Sequence, residues 1–147
     1  MAGAWVGYGA CPDLQVKLGL SQGTPKTTYQ VIVFTNRGTH NCFLNGSPGV
    51  NLGGGPSVAP IGLPAQADAP NSLRITVPPG KMANALLQIT NASSYTAAKC
   101  GPVQAQDLIV YLANDTPPVK LPYGTTACSR AVKMMQISAV ALGAGSD

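Results

Sequence analysis

Along most of this chain apolar residues recur at every second position, in short runs cut apart by Gly and Pro. Leu14, Val16, Leu18 and Leu20 alternate with Gln15, Lys17 and Gly19, the period of a strand with one wet face. The run TTYQVIVFTN at residues 27–36 is denser in β-branched and aromatic residues than any other segment. Tyr29, Val31, Val33 and Thr35 share one of its faces, and Gln30, Ile32, Phe34 and Asn36 the other. Further strands are predicted at 42–44, 73–77, 81–91, 107–111, 119–121 and 130–142. In the last of these Val132, Met134, Gln136, Ser138 and Val140 alternate with Lys133, Met135, Ile137 and Ala139, so one of the two methionines is expected in the core and the other outside it. Roughly eight short strands at this spacing predict an all-β, antiparallel β-sandwich.

Two segments break the pattern. Residues 46–70 hold so many Gly and Pro that the reading is a long loop with at most very short strands, and loops of that length are often functional. Residues 116–126 are read as a second binding loop. Residues 1–10 form a Gly- and Ala-rich arm, 11–143 the single domain and 144–147 a tail.

Composition narrows the class. A chain of 147 residues fits one core, and 17 Gly with 13 Pro exclude long helices. Only 10% of residues are charged and Glu is absent, so solubility falls to Ser, Thr, Asn, Gln and exposed backbone. The net charge of +4 comes from Lys and Arg spread almost evenly, without the basic run or interleaved aromatics that grip nucleic acid.

Four cysteines in so short a chain predict a disulfide framework in an oxidising compartment. Cys11, Cys42, Cys100 and Cys128 lack the close couples that bind zinc, and no metal or other cofactor is expected. Of three possible connectivities, Cys11 with Cys42 and Cys100 with Cys128 closes moderate loops within each half, each bridge contributing about 2 to 4 kcal/mol. Residues 1–8 carry neither a positive cluster nor a long apolar run, so no signal peptide or membrane span is predicted there, and pairing of the cysteines implies an export signal already removed.

Candidate chemistry is sparse. The acids are Asp13, Asp68, Asp107, Asp115 and Asp147, with Asp13 and Asp107 read as turn or strand-edge residues rather than a catalytic pair. His40 is the single histidine, no G-x-S-x-G surrounds a serine, and residues 49–55 lack the Lys and helix of a phosphate loop. A copper site from His40, Met134 and Met135 would lack the second His and free Cys it needs. An enzyme is therefore not expected. Trp5, Tyr8, Tyr95 and Tyr123 fall in the arm or in predicted loops, where aromatics stack on sugars or anchor interfaces.

Several segments together resemble a family of uncharacterised extracytoplasmic domains of actinobacteria, including mycobacterial and streptomycete lipoproteins. They are Cys11 with Leu14-Gln15-Val16, the run from Val33 to Gly38 leading to Cys42 and Leu44, GSPGV at 46–50, Val77-Pro78-Pro79-Gly80, CGPV at 100–103, residues 107–111 and PYGTTACS at 122–129. The resemblance spans residues 11–140 and implies an immunoglobulin-like sandwich, secretion or attachment to the cell envelope through an upstream lipidated cysteine, and no assigned reaction. Where that family has an aromatic before Pro48, this chain has Ser47.

The expected function is a non-catalytic envelope module that binds a protein or a cell-wall glycan through its loops, with Pro48, Gly49, Tyr95 and Tyr123 as candidate contacts. A small-ligand or lipid carrier and a structural spacer are the alternatives.

Overall fold

A computed structural model describes residues 13–54, 60–68, 74–112 and 118–143. Twelve strands are described: β1 Leu14–Gly23, β2 Thr27–Asn36, β3 Cys42–Asn45, β4 Gly49–Gly53, β5 Pro60–Ile61, β6 Gln66–Ala67, β7 Arg74–Val77, β8 Met82–Thr90, β9 Pro102–Tyr111, β10 Val119–Cys128, β11 Met135–Ile137 and β12 Ala141–Leu142. A 3-10 turn, Ala92–Ser94, and a four-residue helix, α1 Ala97–Cys100, lie between β8 and β9. The fold is nearly all β, as its alternating pattern predicts.

Two sheets make up most of the domain. The larger runs β1-β2-β8-β11-β6, with β12 also on β8, and the smaller runs β10-β9-β4-β5; β3 and β7 form a separate ladder. All pairings are antiparallel except β6 with β11, which is parallel. Inward side chains of both large sheets join one apolar cluster, consistent with a β-sandwich. Ile32, Phe34, Leu87 and Ile89 enter it from the larger sheet, and Val50, Leu52, Leu108 and Val110 from the smaller. Full burial of each such side chain is worth about 1.5 to 3 kcal/mol.

Period-two alternation assigns faces correctly on β2 and β8. Gln30, Ile32, Phe34 and Asn36 are buried, as are Leu87, Ala85 and Ala83 opposite the first three and Ile89 opposite Thr28. The two polar members are satisfied: the Asn36 amide donates to the His40 and Val77 carbonyls at 2.7 and 2.8 Å. The Gln30 amide donates to the carbonyls of Gly19, Leu20 and Val31. Leu20 nevertheless departs from its predicted face. The β1–β2 register slips between Leu18 and Ser21, which turns Leu20 outward to 55% exposure.

Three sequence expectations are corrected. Residues 49–53 are not loop: they form β4, central in its sheet between β5 and β9, with Val50 and Leu52 fully buried. Residues 119–126 belong to β10, so the second predicted loop is mostly strand, and Pro122 is accommodated because β10 is an edge strand. Residues 130–142 are not one strand. Val132 N donates to the Arg130 carbonyl and Met134 N to the Val132 carbonyl, two successive tight turns that coil the chain before β11. Strict alternation is lost there, and Met134 and Met135 are both buried.

The predicted Cys100–Cys128 bridge is present and joins α1 to the end of β10. The other predicted pairing, Cys11 with Cys42, involves Cys11, outside the described residues; among those described no cysteine is free. No helix among the described residues is long and apolar enough to cross a membrane.

Candidate functional site

An open groove of about 420 Å³ lies where the end of β8, the 3-10 turn and α1 meet the start of β9 and the bulged half of β10. Asn91 follows β8 and fixes the entry to the groove: the side chain donates to the Pro25 carbonyl at 2.8 Å and accepts from Thr28 Oγ1 at 3.1 Å, tying this corner to the β1–β2 turn. The Ser94 and Tyr95 amides then close the 3-10 turn on the Asn91 and Ala92 carbonyls. Thr96 caps α1, its Oγ1 accepting from the Lys99 amide. Helix α1 stops at Gly101, whose backbone is left-handed at φ 60°.

The far wall is pinned covalently. Cys100 and Cys128 are bridged, and around the bridge Ser129 N and Oγ both donate to the Gly101 carbonyl, at 3.0 and 2.6 Å, and Arg130 N to the Cys100 carbonyl. The β9–β10 register slips between Pro122 and Thr125, a bulge next to which Thr125 and Thr126 line the groove. Tyr95, half-buried against the core, supplies an aromatic wall. Ser93 and the two threonines supply hydroxyls, and the Tyr95 phenol is the single ionisable side chain among the lining residues. Such a surface can stack on an apolar ring face and exchange hydrogen bonds with neutral hydroxyl or amide groups.

The four predicted contacts are not brought together. Tyr95 lines this groove. Tyr123 is in strand β10 rather than a loop, packed half-buried against the core, where desolvation raises its phenol above the ordinary value of 10.0. Pro48 is buried and Gly49 begins β4 opposite Tyr111, a residue whose side chain crowds it. Because β9 runs from Pro102 beside the groove to Tyr111 beside Gly49, the two ends of this sheet stand about 30 Å apart at 3.3 to 3.4 Å per residue. Trp5 and Tyr8 lie outside the described residues.

The sparse titratable residues occupy separate places. Asp107 sits within β9, not at a turn, and pairs with Lys120 across to β10 at 3.6 Å. Asp13 lies just before β1, its carbonyl accepting from Arg37 N. His40 is in the exposed turn after β2, its Nδ1 3.2 Å from Thr39 Oγ1.

Residues 11–141 match the family model described as a domain of unknown function, DUF4232. The chain belongs to the DUF4232 family. No curated protein and no solved structure matches it. In this DUF4232 domain the groove residues 91–102 and 125–126 all fall inside the matched region. Sequence reading singled out Tyr95 but took Thr125 and Thr126 only as part of the second predicted binding loop; the β bulge beside them leaves no signal in the alternation.

Proposed function

We propose that this domain is a non-catalytic, extracytoplasmic binding module that takes a neutral cell-wall glycan in the groove beside Tyr95. The observation that carries this reading is the lining: a half-buried tyrosine ringed by Ser93, Thr125 and Thr126, on walls held by the Cys100–Cys128 bridge. Pre-organised walls lower the ordering cost of binding, and a ligand without charge suits a surface without a formal one. The continuous apolar cluster shared by both sheets favours this reading over a lipid carrier, which needs an unfilled interior.

The location rests on the buried disulfide together with the resemblance to actinobacterial envelope lipoproteins. We extend the proposal to a second bridge between Cys11 and Cys42, supported by the lack of any free cysteine among the described residues, and to an immunoglobulin-like strand arrangement. Titration of the oxidised domain against a panel of cell-wall glycan fragments tests the groove. A fragment that binds should lose about 5- to 100-fold in affinity with Tyr95→Ala, as loss of a stacking partner implies, and several-fold with Thr125→Val. Unchanged affinity in both variants would refute the groove assignment.

A further inference from the structure

We propose that the outer face of the larger sheet docks on an anionic lipid bilayer. Alternation defines this face independently of the groove. Val16 is buried, so Lys17 points outward, and a Cβ added at the next outward position, Gly19, would meet the Val31 and Val33 side chains. Val31 and Val33 in turn stand opposite Leu86 and Asn84 of β8. Two features coincide on this sheet.

The first is charge. At the end where β2 leaves and β8 enters, Gln15, Lys17, Thr35, Arg37 and Met82 line a shallow groove of about 430 Å³. Arg37 Nε donates to Gln15 Oε1 at 3.0 Å, which holds the guanidinium while leaving its terminal nitrogens for an oxyanion. Lys17 and Arg37 have no ion pair among the described residues, where Lys120–Asp107 is the pair found. Asp13, the carboxylate of this end, turns toward Gly38 beside the Asn36 amide oxygen. The second feature is apolar exposure. Of the five exposed large hydrophobics among the described residues, three lie on this face: Leu20, Met82 and Leu86.

Cations beside exposed apolar side chains match a bilayer carrying anionic headgroups, where phosphates meet the cations and the apolar groups enter the headgroup boundary. Each cation near such a surface raises partitioning by about five-fold, so Lys17 and Arg37 together supply on the order of 30-fold at moderate salt.

The test is co-sedimentation of the oxidised full chain with vesicles of phosphatidylcholine alone and of phosphatidylcholine mixed with phosphatidylglycerol. Binding to the mixed vesicles that weakens with salt is expected. The double variant Lys17→Gln/Arg37→Gln should lose on the order of 30-fold. Lys99→Gln/Arg130→Gln, which removes the same charge near the disulfide, should lose far less. Arg37→Lys, which keeps the charge, should bind nearly as the parent does. Equal partitioning to both vesicle types, equal losses in the two double variants, or full competition by inorganic phosphate would each overturn the proposal.

Discussion

Replacing Leu52 by Ala separates the two readings of residues 46–70. Were Leu52 in a surface loop, truncation would change stability by no more than about 0.5 kcal/mol. In the fold it is fully buried on β4, opposite Ile61 on one side and Leu108 on the other, inside the cluster that joins both sheets. Its neighbours belong to paired strands that cannot collapse into the space, so the cost includes both lost transfer and residual cavity, about 3 to 4 kcal/mol. Equilibrium urea unfolding, followed by circular dichroism with the disulfides intact, reads this directly. With a slope of about 2 kcal/mol/M the midpoint should fall by about 1.5 to 2 M while the slope stays constant. A loss below about 1 kcal/mol would refute the placement of β4 in the core, and with it the closure of the smaller sheet.

Three further outcomes follow from the same structure. Cys100→Ala/Cys128→Ala opens a bridge spanning 28 positions, which chain entropy values at about 3.5 kcal/mol, so the melting temperature should drop by about 7 to 14 °C and glycan affinity at Tyr95 should fall with it. Gly101→Ala forces a left-handed residue and brings its Cβ within 2.6 Å of Ser129 Oγ, costing about 1 to 2 kcal/mol or more in urea unfolding. Burial raises the Tyr123 phenol above 10.0, so the folded state resists its ionisation; the stability tied to this group is fully present below pH 10 and is lost as pH rises through the raised value. Alkaline unfolding should therefore begin at higher pH in Tyr123→Phe, and an identical profile would contradict the burial of the phenol.

How far the fold was legible depended on whether side-chain period and backbone geometry stayed in step. On β2 and β8 they do over nine or more residues, so every buried position but Val31 was readable from the alternation. On β1 they part at the slip after Leu18, and Leu20 is misplaced from there on. Before β11 the tight turns at Arg130–Val132 and Val132–Met134 remove the period altogether, which is how two adjacent methionines both reach the core. The Gly and Pro content of residues 46–70 masked β4 for a different reason. A central strand five residues long needs only Val50 and Leu52 as inward anchors, and its Gly49 and Gly53 ends read as breakers.

The candidate groove was legible in one residue out of its lining, and the physical reason lies in how it is assembled. Tyr95 stands out as a loop aromatic, yet its partners reach it through three events that alternation does not encode: the 3-10 turn after Asn91, the left-handed exit at Gly101, and the bulge between Pro122 and Thr125. Each consumes local backbone regularity to aim a side chain. The bridge from Cys100 to Cys128 then fixes the turn side of the groove against the bulge side. The outer sheet face is the opposite case, since Lys17, Val33, Thr35 and Met82 follow from simple alternation once the strand order is known. What the chain alone hid was that β1, β2 and β8 are neighbours, so cations spread evenly along the sequence gather at one end of one sheet. An even distribution in sequence therefore argues against a basic run, but not against a basic face.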